Sequence, residues 1–267
     1  MMKIGFIGAG NMASAMIGGM INSKSVMAND IIASAKSDST LNRISETFRI
    51  NVTKDSKEVV KLSDVIVVAV KPYMYESILE EVKQYIDNNK IIVTIAAGKS
   101  ITDVENIIGQ DKKIIRTMPN TPSLVNEGMS ALCPNKNITE EELEIVKNIY
   151  GSFGEYEVVN ENLIDAVIGV SGSSPAYVFM FIEAMADCAV SYGMSRPQAY
   201  KFAAQAVMGS AKMVLESGKH PGELKDMVCS PGGTTIEAVK TLEIEGMRKS
   251  VIKGMEACIK KSIEMSK

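Results

Sequence analysis

The fold of this chain is decided near its start, by the run Lys3-Ile4-Gly5-Phe6-Ile7-Gly8-Ala9-Gly10-Asn11-Met12-Ala13. A short apolar segment leads directly into closely spaced glycines, and apolar residues then recur at helical spacing at Met16, Ile17, Met20 and Ile21. The pattern predicts a strand, a tight turn and a helix, in that order.

The turn has the spacing of a GxGxxA motif at Gly8, Gly10 and Ala13. Gly8 permits a tight turn, Gly10 lets the backbone approach a pyrophosphate, and the small Ala13 lets the helix pack on the strand. The helix start then offers unpaired N–H groups to phosphates. Such a motif is weak evidence when it stands alone, and a glycine-rich turn without a ligand is the alternative. Its place at the head of a strand-helix series favours a dinucleotide site.

That series continues through the first part of the chain. Further strand candidates lie at residues 30–35, 64–70, 90–96 and 113–118, with helical spacing between them, as at residues 74–88. The runs at 65–70 and 91–95 are apolar at successive positions, which is typical of strands covered on both faces. We therefore expect an α/β fold, with a doubly wound Rossmann sheet over residues 1–160.

The pattern changes after residue 160. No convincing strand follows, and helical stretches are predicted at 161–191, 195–217, 234–245 and 246–266. The segment 175–190 is apolar around most of its circumference, and it is shorter than the ~20 residues that cross a bilayer. We expect a C-terminal all-helical dimerisation domain, residues 161–267, in which this helix packs against a second subunit. The alternative is the central helix of a monomeric bundle.

Composition narrows the function classes. The 267 residues include 29 basic and 32 acidic side chains, and neither part of the chain has a basic excess, so nucleic-acid binding is not expected. Four cysteines without a CxxC pair and a single histidine argue against a metal site or a disulfide scaffold. The N-terminus lacks the pattern of a signal peptide and no membrane span is expected, so we predict a cytoplasmic protein.

The end of the second predicted strand bears on the choice of cofactor. NAD sites usually place a carboxylate there to hold the ribose, but this chain has Ser34-Ala35-Lys36-Ser37. Lys36 and the hydroxyls of Ser34 and Ser37 suit a 2′-phosphate. The sequence therefore favours NADPH, with NADH possible. Two later strand ends, at residues 69–72 and 96–98, are expected beside the nicotinamide, where Lys71 would contact cofactor or substrate.

A second cluster of special residues spans 220–235. Ser230, Pro231, Gly232 and Gly233 predict a turn that leads into a helix near Thr234. Backbone N–H groups at such a helix start, flanked by hydroxyls, suit a small carboxylate. From spacing alone, a simple helix cap is an equal alternative.

Several motifs together resemble the pyrroline-5-carboxylate reductase family, over essentially the whole chain. The matched segments are residues 8–13, 69–72, 116–122, 165–172 and the C-terminal signature at 221–243. The resemblance implies reduction of the cyclic imine L-1-pyrroline-5-carboxylate to L-proline, the last step of proline biosynthesis. It also implies a Rossmann domain joined to a helical dimerisation domain, in a homodimer or a larger ring of dimers.

The resemblance also implies site residues. The expected cofactor contacts are Ile7, Gly8, Ala9, Gly10, Asn11, Met12, Ser34, Lys36, Ser56, Ala69, Val70, Lys71 and Ala97. The expected substrate contacts are Ser230, Gly233, Thr234 and Thr235. Thr235, as hydrogen-bond donor to the ring nitrogen, and Lys71 are the candidate catalytic residues. No metal is expected.

Two positions depart from the family pattern. Ser56 stands where members often have an asparagine on the adenosine ribose, and Ser174 replaces the second glycine of a Ser-Gly-Ser-Gly-Pro run. Two other functions stay open: a reductase of another imine or ketone on the same plan, and a non-catalytic NADPH-sensing dimer. The sensor would need the Gly8 motif but not the hydroxyls near Thr235.

Overall fold

A computed structural model describes residues 2–266 and divides the chain into two compact units. The first unit holds the residues up to 173 together with those from 258 onward, and the second unit holds residues 174–257.

The first unit is built on one sheet of eight strands within the described residues. The strands are β1 (Ile4–Ile7), β2 (Ile31–Ser34), β3 (Asn51–Thr53), β4 (Val65–Val68), β5 (Ile91–Thr94), β6 (Lys113–Met118), β7 (Gly128–Pro134) and β8 (Gly154–Val158). Their order is β3-β2-β1-β4-β5-β6-β7-β8; the first six are parallel, β7 is antiparallel to β6, and β8 is parallel to β7. The expected doubly wound Rossmann sheet is confirmed.

The central strands are covered on both faces, as their continuous apolar runs predict. Every residue of β1, β2, β4 and β5 is buried, and the buried side chains divide into two clusters. One cluster includes Ile66, Leu79 and Val104, and the other includes Phe6 and Met16. Because helices cover both faces of the sheet, the carboxyl ends of the strands remain open to a ligand.

Twelve α-helices are present in the described part of the chain. They are α1 (Asn11–Asn22), α2 (Asp38–Phe48), α3 (Ser56–Leu62), α4 (Tyr75–Val82), α5 (Ile101–Ile108), α6 (Glu140–Gly151), α7 (Ile164–Val167), α8 (Ser174–Ser191), α9 (Arg196–Ser217), α10 (Pro221–Met227), α11 (Thr234–Ile244) and α12 (Met247–Met265). The predicted helix at 74–88 is shorter, because α4 ends at Val82 and a 3₁₀ turn, Lys83–Tyr85, follows.

The predicted helix over 161–191 is interrupted. It consists of a 3₁₀ turn, the short α7, a π-helical turn at Ile168–Gly172 and then α8. The amide of Asn120 holds the π turn, since Nδ2 donates to the Ser171 carbonyl oxygen at 3.0 Å. The break in the helix is therefore stabilised by Asn120, a residue that is distant in the sequence.

The second unit consists of α8–α11 and most of α12, and large apolar side chains remain exposed on it. Phe179, Met180, Phe202 and Leu215 are 61%, 69%, 67% and 82% exposed. The helical stretch Glu161–Ser191 is long and apolar enough to cross a membrane, by length and composition only, and the mean hydropathy of its most apolar part is 1.3. Core helices of globular proteins can have the same length and composition, so one such helix is weak evidence of a membrane span.

Candidate functional site

The glycine turn after β1 is fixed by steric contacts that only glycine tolerates. Gly8 has φ +100°, and a Cβ there would lie 2.7 Å from the carbonyl oxygen of Ala69. The Gly8 N–H donates to the Ser34 carbonyl oxygen at 2.9 Å, and the Ala69 N–H donates to the Ile7 oxygen at 2.8 Å. Gly8 therefore brings the carboxyl ends of β1, β2 and β4 close together.

Gly10 serves a different purpose. It is the N-cap of α1 with φ −77°, and a Cβ built on it would meet nothing within 4 Å. No side chain caps α1 and its first turn holds no acidic residue, so its first N–H groups have no side-chain partner. Ala13 is buried against the sheet. This end of α1 suits a phosphate.

The end of β2 provides hydroxyls and cations instead of the carboxylate of an NAD site. The Ser34 hydroxyl is buried and shares a hydrogen bond with the Ser56 hydroxyl at 3.3 Å. Lys36 is exposed and has no ion pair among the described residues, whereas Lys54 pairs with Asp38 at 2.7 Å. This region is therefore suited to an anionic group.

Tyr75 at the start of α4 ties two strand ends together. Its Oη donates to the Val68 carbonyl oxygen at 2.5 Å and accepts from the Ile95 N–H at 3.3 Å. Burial raises the pKa of the Tyr75 phenol well above its ordinary value, although two backbone hydrogen bonds oppose the shift, so the hydroxyl stays protonated. Tyr75 thereby sets the spacing between the ends of β4 and β5.

Replacing Tyr75 with phenylalanine is expected to lower the free energy of unfolding by about 1–3 kcal/mol, because two backbone groups lose their partner. Urea denaturation measures this loss. Tyr73→Phe is the matched control: Tyr73 lies two residues away and is 84% exposed, so its variant should stay within about 0.5 kcal/mol of the parent. Equal urea midpoints for the two variants would refute the bridging role.

These elements surround a cavity of about 980 Å³ at the carboxyl ends of β1, β2, β4 and β5. Every residue predicted to contact the cofactor lines it: Ile7, Gly8, Ala9, Gly10, Asn11, Met12, Ser34, Lys36, Ser56, Ala69, Val70, Lys71 and Ala97. The open space before Gly10, the free end of α1 and the cations after β2 fit a dinucleotide phosphate.

Sequence reasoning missed other residues of this cavity, namely Thr40, Arg43, Lys54, Met74, Ile78, Glu81 and Ile95. Thr40 and Arg43 lie on α2, on the side that faces the glycine turn. In the sequence, only the periodicity of α2 indicates these two residues. Leu41 and Ile44 are buried and define the face of α2 that packs on the core, and this fixes which way the other side chains of the helix point.

Lys71 is an exposed side chain at the end of β4. It caps a 3₁₀ turn, Pro72–Met74, and its carbonyl oxygen accepts from the Met74 N–H at 2.9 Å. The turn fixes the Lys71 backbone while the ammonium group extends to solvent at the cavity wall.

The predicted substrate residues lie in the second unit. The Gly233 N–H donates to the Ser230 carbonyl oxygen at 3.0 Å, and Gly232 has φ +67°, features of a type II turn with Pro231 at its second position. Gly233 caps α11 without a side-chain bond, so the first N–H groups of α11 are free. Ser230, Thr234 and Thr235 are exposed around this turn.

His220 and Arg116 have structural roles. His220 Nδ1 accepts from the Gly222 N–H at 3.0 Å and caps α10, a helix that the sequence did not predict. Arg116 is buried and pairs with Glu161 at 2.7 Å, and the same carboxylate oxygen accepts from the Ile101 N–H. Among residues 2–266, no group of three or more His, Cys, Asp or Glu side chains is arranged to hold a metal.

Comparison with known proteins agrees with this arrangement. A family model described as pyrroline-5-carboxylate reductase dimerisation matches residues 161–265, and one described as NADP oxidoreductase coenzyme F420-dependent matches residues 3–98. The chain is 53% identical to the pyrroline-5-carboxylate reductase of Escherichia coli over 265 residues, which cover 99% of this chain and 98% of the relative.

Two solved structures are similar over whole chains. The crystal structure of Plasmodium falciparum pyrroline carboxylate reductase with NADP bound has a TM-score of 0.89 at 33% identity, covering 100% of this chain and 98% of the other. The pyrroline-5-carboxylate reductase of Coxiella burnetii has a TM-score of 0.93 at 32% identity, covering 100% and 99%. With identity this high over nearly its whole length, the chain belongs to the pyrroline-5-carboxylate reductase family.

Proposed function

We propose that this chain is an NAD(P)H-dependent oxidoreductase that reduces L-1-pyrroline-5-carboxylate to L-proline, the last step of proline biosynthesis. The observation that carries the proposal is the cavity at the carboxyl ends of the parallel strands, because all the expected cofactor residues line it. The relatives named above support the substrate, and the cations and hydroxyls after β2 support NADPH, with NADH as the weaker donor.

The chain contributes positioning more than acid–base chemistry. When bound, a nicotinamide supplies the hydride that the imine carbon receives. Gly8 and Gly10 shape the backbone of the turn, and the N–H groups at the start of α1 would bind the pyrophosphate. Tyr75 sets the spacing between the ends of β4 and β5, and Ala69, Val70 and Ala97 at these ends would hold the nicotinamide.

The turn before α11 holds the substrate in this proposal. The free N–H groups at the start of α11 and the Ser230 and Thr234 hydroxyls bind the carboxylate. Gly233 fits the turn closely, since a Cβ there would lie 3.1 Å from the Ser230 carbonyl oxygen. The Thr235 hydroxyl donates a hydrogen bond to the ring nitrogen and keeps its proton in place while the carbon is reduced. Lys71 adds a positive charge at the end of β4, in contact with cofactor or substrate.

The test is an assay of the purified protein with L-1-pyrroline-5-carboxylate, in which the loss of reduced-nicotinamide absorbance is followed with NADPH and NADH in parallel. We expect substrate-dependent oxidation, faster with NADPH, and L-proline as the product. Cofactor binding without turnover would instead support another imine substrate or the sensor function.

We also propose that residues 1–160 and 161–267 are the functional domains of the chain. The chain works in the cytoplasm as a homodimer, and dimers associate into a larger ring. The exposed apolar side chains of the second unit support an interface between copies. Four unpaired cysteines suit a reducing compartment, and we propose that neither nucleic acid nor membrane is a partner. Light scattering should give a multiple of the 28.9 kDa chain mass, and a monomer would refute the assembly.

A further inference from the structure

Arg43 is a basic side chain of the cofactor cavity that the proposed function does not use. It extends from the second turn of α2 to the glycine turn, 34 residues away in sequence, where Nη2 donates to the Ala9 carbonyl oxygen at 3.0 Å. Nη1 donates to the Ser14 hydroxyl at 3.3 Å. The residue is exposed, yet both contacts hold its guanidinium at the cavity wall.

The guanidinium keeps donors and charge available for a ligand. Of its five N–H groups, the two contacts use two, and no carboxylate pairs with Arg43 within the described residues. The Ser14 hydroxyl in turn donates to the Gly10 carbonyl oxygen at 2.9 Å, so Arg43 is anchored on the carbonyl side of the glycine turn. Its planar group is thus held in place before any phosphate binds.

The neighbouring groups are less suited to the same task. The charge of Lys54 is balanced by Asp38 at 2.7 Å, and the Ser34 hydroxyl is 3% exposed and bonded to Ser56. Lys36 is exposed and makes no ion pair or side-chain hydrogen bond within residues 2–266, so nothing fixes its ammonium group, which is a point charge without the planar donors of arginine. Arg43 is the cation here that is both unpaired and fixed by hydrogen bonds.

We infer that Arg43 is a specificity-determining residue that binds the 2′-phosphate of NADPH and makes this chain favour NADPH over NADH. The inference rests on the proposed function, because it concerns the cofactor of the same cleft. Only NADPH has this phosphate, so a charge-assisted contact from Arg43 adds to its affinity and leaves the affinity for NADH nearly unchanged.

Calorimetric binding to Arg43→Gln tests the inference directly. The ligands are NADPH, NADH and their adenosine fragments, 2′,5′-ADP and 5′-ADP. We expect the affinities for NADPH and 2′,5′-ADP to fall by about 10- to 100-fold, the range for a hydrogen bond to a charged group, and those for NADH and 5′-ADP to change less than about threefold. Arg43→Lys keeps the charge without the fork and should lose an intermediate amount.

Arg49→Gln is the matched control, because it removes the same charge from the residue that caps the far end of α2. Its NADPH-to-NADH affinity ratio should equal that of the parent. An equal loss of NADPH and NADH binding in Arg43→Gln would mean that Arg43 only shapes the glycine turn, and this would overturn the inference, as would unchanged NADPH binding.

The binding data also separate this inference from the proposed function. They require no imine, so a protein that discriminates between the two fragments through Arg43 but does not turn over pyrroline-5-carboxylate would fail only the proposed reaction. Turnover of the imine with an unchanged cofactor ratio in Arg43→Gln would fail only the inference.

Discussion

Gly8→Ala is expected to lower the free energy of unfolding by about 2–5 kcal/mol and to abolish measurable NADPH binding. The added methyl group would sit 2.7 Å from the Ala69 carbonyl oxygen and 2.9 Å from the Ala69 carbonyl carbon. Both atoms belong to backbone that the pairing of β1 with β4 holds in place, so moving either of them costs free energy. The φ of +100° adds strain for any residue with a Cβ. Relief would separate the two strand ends that flank the cavity.

Gly10→Ala separates folding from binding at the same turn. A methyl group there meets nothing within 4 Å, and φ is −77°, so the urea midpoint should stay close to that of the parent. The methyl group nevertheless occupies space that a phosphate would use, so NADPH binding should weaken by at least about tenfold. Urea denaturation measures the unfolding midpoint of each variant, and calorimetry measures the NADPH affinity of each. A stable Gly8→Ala that binds NADPH normally would refute the role given to Gly8.

The sequence predicted the buried strands well, and the edge strands poorly, for a physical reason. Strands covered on both faces must be apolar at successive positions, so 65–70 and 91–95 stood out. β3 has only three residues, and β8 is a largely exposed edge strand whose sequence is Gly-Glu-Tyr-Glu-Val. Neither has a continuous apolar run. β7 mixes glycine, serine and cysteine with apolar residues, and its antiparallel pairing to β6 is set by long-range contacts.

The residues in and around the cavity divide into two similar groups, those set by local sequence and those set by tertiary contacts. Gly8, Gly10 and the strand ends are local features, since a strand followed by closely spaced glycines defines them along the sequence. Arg43 and Tyr75 depend on tertiary contacts, because Arg43 reaches the cavity through α2 packing and Tyr75 through hydrogen bonds to two different strands. A single sequence specifies the helix phase of α2 but not the distance from α2 to the glycine turn. Side chains that join separate elements are thus found only with coordinates.

Thr235→Ala is expected to reduce kcat by about 100-fold or more, with the Kd for NADPH within about twofold of the parent, because a positioned proton donor contributes about 100- to 10,000-fold. Thr235 is the second residue of α11, and its exposed hydroxyl makes no hydrogen bond within the described residues. Removing it leaves the backbone N–H groups that are proposed to hold the carboxylate, so KM should change less than kcat. The measurements are steady-state kinetics and calorimetric NADPH binding.

Two further variants test the role assigned to Thr235. Thr235→Ser keeps a hydroxyl and should recover most of kcat, whereas a purely structural threonine would gain little from serine. Thr241→Ala removes the same group from the same helix, at a position where the hydroxyl donates to the Glu237 carbonyl oxygen at 3.0 Å, and it should behave as the parent. If Thr235→Ala and Thr241→Ala have similar kcat values, the ring nitrogen receives its hydrogen bond from another group. Because a protonated imine is already a good electrophile, that group would be a positioned water or a second hydroxyl at the same turn rather than a strong acid.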